Sequence, residues 1–298
     1  MFIWFGLLLL LLSVLGLPWL GYISQELTFL RYSRVAMAFL GGGGVVLSTF
    51  ILQNLTRNPL TSEYTLGISA AVSFFAAFFY VLGLSPVLGS LLGGAGVTFL
   101  LFVLLRKKLS GTLLILLGII LNIFFAAGIT FLNYLTSFKV SQALERWIFG
   151  GLSFYTFEEV ALVGVFALAV FGYGMALLPR LTLVSISEIY ETLLGRRFRI
   201  QAQGLLLLIG VFISLVTTYT GPIPFLGLLL ANFIRFSLKG KPITSFILSF
   251  LAGGCLLAWL DTLLRLLWPL EEMPLGIVIG ILGLPFLIVL LFQQRQRS

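Results

Sequence analysis

Histidine is absent from this sequence of 298 residues, cysteine occurs once, and charge of either sign is scarce. The chain has 18 Lys+Arg and 10 Asp+Glu, so 9% of its residues are charged, against about 25% in an ordinary soluble domain. Zinc, haem and iron–sulfur sites require clusters of His or Cys, so the sequence predicts no metal site. The single cysteine, Cys255, has no partner for a disulfide within the chain.

A nucleotide-binding loop is also missing from the sequence. The Walker A pattern is Gly-x-x-x-x-Gly-Lys-Ser/Thr, and its nearest approach here, Gly240-Lys241-Pro242, does not match it. The paired carboxylates, His clusters and nucleophile motifs of an enzyme site are missing as well. The sequence therefore predicts a chain that is not an enzyme, and any ATP that serves it is bound by another subunit.

Apolar residues dominate what is present. They make up 60% of the chain, and the mean hydropathy is +1.15. A membrane-spanning helix takes about 20 mostly apolar residues. We predict an all-α polytopic membrane protein, a single transmembrane domain over residues 1–298, whose ten spans cover 2–20, 35–53, 65–83, 86–105, 112–135, 159–178, 203–219, 223–236, 243–264 and 275–292.

The basic residues predict the orientation. Lys and Arg in short loops favour the cytoplasmic side. With both termini in the cytoplasm, most basic residues fall on that side, and those left outside are Arg31, Arg34, Lys139, Arg146 and Arg265. A basic surface for a partner is the alternative explanation, but orientation alone accounts for the bias.

Two further features of the sequence concern the arrangement of the helices. A Pro-broken segment at Asn58-Pro59 precedes Leu66-Gly67, and a second at Gly221-Pro222 precedes Leu226-Gly227. This weak repeat predicts two inverted five-helix halves, as in many transporters. Gly41 to Gly44 are costly in a helix, so we expect another backbone or a passing substrate to come close there. The predicted path or gating residues are Gly41, Gly42, Gly43, Gly44, Asn58, Pro59, Gly221 and Pro222.

The loop at 185–201 predicts a short amphipathic helix on the cytoplasmic side. Ser185 and Glu188 have the spacing of a capping box, and Gly195 is a natural stop. The apolar face of this helix consists of Ile189, Tyr190, Leu193 and Leu194. Spacing alone leaves two alternatives open: the helix lies on the lipid surface, or it docks into a groove of a cytoplasmic partner.

Charged residues at the predicted outer face have two interpretations each. Asp261 and Arg265 are spaced i, i+4 in the ninth span, which favours a structural ion pair over a proton relay. Arg31 and Arg34 lie one helical turn apart on the loop before the second span. They could reach lipid headgroups or pair with carboxylates of an external partner.

The order of several motifs then indicates a family. They are Arg31-x-x-Arg34, Gln53-x-x-x-Arg57-Asn58-Pro59-Leu60, Leu66-Gly67-Ile68-Ser69, Trp147-x-x-Gly150-Gly151-Leu152, Gly221-Pro222-Ile223-x-Phe225-Leu226-Gly227-Leu228, Asp261-x-x-x-Arg265, Glu272-Met-Pro274-Leu-Gly276 and Gly283-x-Pro285-Phe286. In these motifs the chain resembles the permease subunits of the iron–siderophore and vitamin B12 class of ATP-binding-cassette (ABC) importers, the type II importers.

The resemblance implies partners and roles. Two permeases pair, the substrate passes along their interface by alternating access, and ATP and Mg are bound by separate cytoplasmic ATPase subunits, so this chain needs no cofactor. An extracytoplasmic binding protein docks through acidic residues onto Arg31, Arg34 and Arg265. The loop at 185–201 becomes the coupling loop, with contact residues Ser187, Glu188, Tyr190, Leu193, Leu194, Gly195 and Arg196.

The resemblance also sets expectations for cargo and location. An iron(III)–siderophore complex is the expected substrate, haem or cobalamin is the alternative within the class, and an ion-coupled secondary transporter that uses Asp261 is the alternative outside it. The expected location is the bacterial cytoplasmic (inner) membrane. Departures from the family pattern at Tyr32-Ser33, Ser62-Glu63 and Ala231-Asn232 lead us to expect a heterodimer with a second permease instead of a homodimer.

Overall fold

The computed structural model describes residues 25–106, 111–136, 150–238, 240–268 and 273–281, together with Gly283 and Pro285. Every regular element within these residues is a helix, which confirms the all-α prediction. The helices are α1 (Gln25–Thr56), α2 (Ile68–Val81), α3 (Pro86–Arg106), α4 (Gly111–Leu135), α5 (Phe157–Ile186), α6 (Glu188–Thr220), α7 (Leu226–Ser237), α8 (Pro242–Leu267) and α9 over 275–281.

The helices follow the predicted spans closely. Six of them, α1, α3, α4, α5, α6 and α8, are long and apolar enough to cross a membrane, while α2 and α7 are shorter apolar helices. The predicted span at 2–20 lies outside the described residues, and α9 begins at 275 as predicted. The eighth span begins later than predicted, at Leu226, because residues 221–225 form a non-helical turn.

Helix α1 is the centre of the fold. In an apolar 18-residue stretch of its membrane-length segment, Leu30–Thr56, 83% of the residues are buried, whereas the corresponding stretch of α4, within Leu113–Leu135, has only 17% of its residues buried. Helices α8, α5 and α7 surround α1, and α3 packs against α2 and α6. Arg31 and Arg34, which we expected on a loop, lie inside α1, because this helix begins several residues earlier than the apolar run.

The four consecutive glycines of α1 lie in helix contacts. A Cβ at Gly42 would lie 2.7 Å from the carbonyl oxygen of Gly253 in α8, and one at Gly43 would lie 2.6 Å from that of Phe250. A Cβ at Gly44 would overlap the ring of Phe212 in α6. Small residues let helices approach closely in lipid. Gly42 and Gly43 therefore allow a close approach of the α8 backbone, which is one of the two alternatives expected from the sequence. That the four glycines also line a substrate path stays a prediction.

Candidate functional site

Three charged side chains meet in the N-terminal third of α1, and we call them the Asp261 cluster (Arg34, Asp261, Arg265). Arg34 donates through Nε to Asp261 Oδ2 at 3.0 Å and through Nη2 to Oδ1 at 2.8 Å. Arg265 reaches Asp261 Oδ2 from the same helix at 3.2 Å. Arg34 and Asp261 are 4% and 3% exposed. A buried carboxylate is thus held between two guanidinium groups, which offsets the cost of burying it.

The cluster contains the predicted Asp261–Arg265 pair and gives Arg34 a contact that was not predicted. The Asp261–Arg265 ion pair occurs as its i, i+4 spacing predicted. Arg34 was assigned with Arg31 to docking, yet its side chain is buried in α1–α8 packing, while Arg31 is partly exposed. The Arg34–Asp261 contact was missed. The sequence contained a signal for this contact, because the predicted topology placed Asp261 at the same face of the membrane as Arg31 and Arg34.

A second charged site lies at the opposite end of α1, where Arg57, Asn58 and Pro59 form what we call the Arg57 turn. Arg57 Nη2 lies 2.6 Å from Glu188 Oε1, and Nη1 lies 3.3 Å from Glu191 Oε2. Arg34 and Arg57 are separated along the helix by about 34 Å at 1.5 Å per residue. That separation is close to the thickness of the hydrocarbon core of a bilayer, about 30 Å.

The short helix predicted in the 185–201 loop is present over 188–194. Gly195, with φ 68° and ψ −161°, breaks it from the rest of α6, as predicted. The predicted capping box is wrong. Helix α5 continues through Ile186, and Ser185 Oγ donates to the carbonyl of Thr182, so the N-cap is Ser187, whose Oγ accepts from the Ile189 N–H at 3.3 Å.

The helix over 188–194 presents apolar side chains without a cover in the described structure. Ile189 and Leu193 are 66% and 73% exposed, and Tyr190 is 36% exposed. Leu194, predicted on the same face, instead packs against the core. Arg196 and Arg197 follow the break and are exposed. The short helix therefore has exposed apolar side chains and is followed by exposed basic residues, and neither group is packed between helices.

The Arg57 turn is held to two helices by hydrogen bonds. The carbonyl of Pro59 accepts from Gln53 Nε2 of α1 at 2.9 Å and from Asn232 Nδ2 of α7 at 2.8 Å. Asn58 closes the turn, because its Oδ1 accepts from the Leu60 N–H at 2.9 Å. Asn58 and Pro59, predicted as path or gating residues, thus lie in a bonded joint between helices.

A buried carboxyl follows this turn. Glu63 is 3% exposed, and its Oε2 accepts from Thr49 Oγ1 of α1 at 2.6 Å. Burial raises the pKa of Glu63 from 4.5 to about 7, and the hydrogen bonds from Thr49 and the backbone partly oppose that shift. This residue lies where Ser62-Glu63 departs from the family pattern, and no partner for it was predicted.

A cavity of about 540 Å³ opens beside the start of α7. Its lining is mainly apolar and includes Tyr64, Asn122, Pro222, Pro224, Phe225 and Gly280. Asn122 of α4 donates to the carbonyl of Tyr64 at 2.8 Å, which joins α4 to the segment before α2. Of the predicted path residues, Pro222 lines this cavity, and Gly221 precedes it with φ 67° at the end of α6.

Within the described residues, no group of three His, Cys, Asp or Glu side chains is arranged to hold a metal ion. Asp261 is engaged by arginines, and Glu188 and Glu191 are engaged by Arg57. The charged groups of the two sites therefore form ion pairs, of which Asp261–Arg265 lies within α8 and the others join separate segments.

Comparisons with known proteins agree with this architecture. The sequence profile of the FecCD transport family matches residues 6–293. The Fe(3+)-citrate import system permease protein YfmE of Bacillus subtilis is 30% identical over 275 residues, which cover 90% of this chain and 82% of that protein. The vitamin B12 import system permease protein BtuC of Klebsiella pneumoniae is 29% identical over 318 residues, which cover 99% and 94%.

A solved structure also matches the fold. It is described as an inward-facing conformation of a transporter assigned to the metal-chelate ABC type. The two folds superpose with a TM-score of 0.84 at 25% identity, and the match covers 97% of each chain.

Proposed function

The chain belongs to the FecCD transport family, and we propose that it is the permease subunit of an ATP-driven importer for an iron(III)–siderophore complex. The observation that carries the proposal is α1 itself. One buried helix joins the Asp261 cluster at one end to the helix over 188–194 at the other. A subunit that must connect events on the two faces of a membrane needs such a link.

Under this proposal, the Asp261 cluster lies at the extracytoplasmic face, and both termini lie in the cytoplasm. Arg31 and Arg265 present charge to acidic residues of a binding protein, because both side chains retain exposed surface. Arg34 has a different role from the one the sequence suggested. It holds Asp261 in place, and Asp261 in turn orients Arg265.

At the cytoplasmic face, the helix over 188–194 docks into a separate ATPase subunit that binds ATP and Mg. Ile189 and Leu193 are exposed, and apolar side chains on a short helix are the usual anchors for a groove. Ser187 caps the helix and Gly195 ends it, so its geometry is fixed at both ends. Tyr190 and Arg196 complete the proposed contact surface.

The permease pairs with a second permease in the bacterial cytoplasmic membrane, and the substrate passes along their interface. Helix α4 supports this pairing, because it is largely exposed and apolar and borders the cavity beside α7. We propose a heterodimer, on the departures at Tyr32-Ser33, Ser62-Glu63 and Ala231-Asn232. A homodimer is the alternative outcome.

The cargo is proposed from relatives. YfmE is named for ferric citrate, and the structural match is described as a metal-chelate transporter. Both descriptions favour an iron chelate as the cargo. BtuC is named for vitamin B12, so cobalamin remains the competing cargo, with haem as a third. An ion-coupled transporter centred on Asp261 is disfavoured, because that carboxylate is already bound by Arg34 and Arg265.

Reconstitution tests the proposal. The purified complex, in proteoliposomes with its binding protein, is supplied in turn with radiolabelled iron(III)–siderophores, haem and cobalamin. We expect accumulation of an iron(III)–siderophore with ATP and none with a non-hydrolysable analogue. Accumulation of haem or cobalamin alone would correct the cargo. Accumulation driven by an ion gradient without ATP would contradict the importer.

A further inference from the structure

We propose that the Arg57 turn transmits the position of the helix over 188–194 to α7, and that Arg57 is a positioning residue for the coupling of ATP hydrolysis to transport. This inference rests on the proposed function and adds a specific connection to it. The turn connects three parts of the fold: the exposed short helix, the end of α1 and the helix that borders the cavity.

The first link consists of the ion pairs between Arg57 and the short helix. Its guanidinium donates to Glu188 and Glu191, which are one helical turn apart and so lie on one face. A planar guanidinium can bond two carboxylates at once, and a lysine cannot reproduce that geometry. The side chain of Arg57 is 22% exposed, and those of Glu188 and Glu191 are 75% and 33% exposed, so solvent weakens both pairs and the Glu188 pair most. The two contacts together hold one face of the short helix to the end of α1.

The second link is the backbone of Arg57. Its φ of 55° lies in the left-handed region, which residues with a side chain rarely adopt. Glycine or asparagine usually occupies such a position at the end of a helix. Here an arginine adopts it, and the same residue makes both ion pairs. The chain therefore combines a sharp reversal after α1 with a long cationic side chain at one residue.

The third link joins the turn to α7. The Pro59 carbonyl accepts from Asn232, and one turn further along α7, Arg235 Nη2 donates to Asn54 Oδ1 of α1 at 3.1 Å. The Arg235 guanidinium also lies over the ring of Phe50, 5.4 Å from its centroid. Helix α7 is therefore bonded to the Arg57 turn and to the last turns of α1, and it cannot move independently of them.

The fourth link is the cavity. Residues immediately before α7, namely Pro222, Pro224 and Phe225, line it. A shift of α7 moves these residues, since Phe225 is the N-cap of the helix. Each step from Glu188 to Phe225 is a direct contact or a continuous helix. Contiguity alone does not prove energetic coupling, so the test must measure coupling.

The test uses the complete complex in proteoliposomes and measures ATP hydrolysis and transport separately. We expect Arg57→Ala to keep the ATPase bound and hydrolysing, while the substrate transported per ATP falls at least about fivefold, the lower range of allosteric coupling. Asn232→Ala breaks a later link and should give a similar fall. The double variant should fall no further than either single variant, because both act on one connection.

Arg180→Ala is the matched control. Arg180 is a basic residue of α5 whose guanidinium donates to Gln201 of α6 instead of to the Arg57 turn, and its loss should leave transport per ATP near the wild-type value. Arg57→Lys keeps the charge but cannot pair with both carboxylates, and it should give an intermediate value of substrate transported per ATP. The same variant replaces Arg57→Ala in the test if Arg57→Ala fails to fold. The reversed pair, Arg57→Glu with Glu188→Arg, should recover part of the loss.

Three results would overturn the inference. The first is an unchanged transport-to-ATP ratio in Arg57→Ala or, if that variant does not fold, in Arg57→Lys. The second is an independent, additive effect of Arg57 and Asn232. The third is loss of the ATPase from the complex in these variants, which would make Arg57 part of the docking surface only. Absence of an ATPase from the wild-type complex would instead defeat the proposed function.

Discussion

Arg34 of α1 and Asp261 of α8 form a buried two-point ion pair, with Nε–Oδ2 and Nη2–Oδ1 distances of 3.0 and 2.8 Å. The pair fixes α1 to α8 next to Arg265, which binds the same carboxylate. Arg34 is buried, whereas the side chains of Arg31 and Arg265 are partly exposed. Under the proposed function, it is therefore Arg31 and Arg265 that present charge to the binding protein.

The buried pair predicts a large effect of removing its acid. Asp261→Asn leaves the Arg34 guanidinium buried without a carboxylate, and breaking a buried pair in this way costs about 3–5 kcal/mol. We expect a clearly lower thermal unfolding temperature in detergent. Glu158→Gln, at an exposed carboxyl of α5, is the control and should unfold like the wild type. Equal unfolding of both variants would show that the pair does not stabilise the fold.

Changing the charge of the partly exposed Arg31 and Arg265 is expected to weaken docking of the binding protein. Arg31→Glu combined with Arg265→Gln should weaken binding of the purified binding protein by at least about tenfold, because charge pairs across an interface contribute on this scale. The ATPase should remain in the complex. The matched variant, Arg31→Lys with Arg265→Lys, keeps both charges and should bind more tightly than the first. Binding that is unaffected by these two charge changes and by salt would refute docking at this face.

The close contact between Gly42 and α8 predicts that adding one methyl group at this position lowers the stability of the fold. Gly42→Ala forces a Cβ against the Gly253 carbonyl, and overpacking of this kind costs about 1–3 kcal/mol. Gly172→Ala in α5 meets nothing within 4 Å and is the control. Thermal unfolding should separate the two variants, with Gly42→Ala less stable. If they unfold alike, α1 and α8 are not in the close contact described above.

Glu63 predicts a pH dependence of stability. Burial raises its pKa from 4.5 in the unfolded chain to about 7 in the fold, so between these values the folded state holds a proton that the unfolded state releases. The stabilisation is complete below pH 4.5 and is lost as the pH rises to about 7. The loss amounts to roughly 3 kcal/mol at 1.36 kcal/mol per unit.

Glu63→Gln removes the ionisation and keeps the size of the side chain. We expect it to unfold at a higher temperature than the wild type at pH 8 and at a similar temperature at pH 5. The exposed-site variant Glu158→Gln should retain the wild-type pH profile. A Glu63→Gln profile parallel to that of the wild type would mean that this carboxyl does not titrate in this range.

Patterns that lie within one segment could be predicted from the sequence. Helix positions follow from continuous apolar runs, and Gly195 and the Asp261–Arg265 pair follow from local spacing. The Ser185 cap failed for a local reason as well. A serine hydroxyl can bond the preceding turn of its own helix instead of starting a new one, and here it bonds the carbonyl of Thr182.

Contacts between distant segments could not be predicted. Arg34 and Asp261 are 227 residues apart, and Arg57 and Glu188 are 131 apart. The predicted topology places Arg34 and Asp261 at the same face of the membrane, but neither segment specifies the partner residue, because an arginine at that position can interact with lipid headgroups, water or protein. The role of the four glycines was ambiguous for the same reason, since only the tertiary packing shows that Gly42 and Gly43 approach the backbone of α8 and that Gly44 approaches the ring of Phe212.

The most direct test of the importer assignment is the composition of the native complex. The tagged chain is purified from its host in mild detergent, and every stoichiometric partner is identified. We predict an ABC ATPase together with a second, similar permease. Two copies of this chain with the ATPase would retain the importer and replace the heterodimer by a homodimer. A folded complex that contains no ATPase would contradict the account.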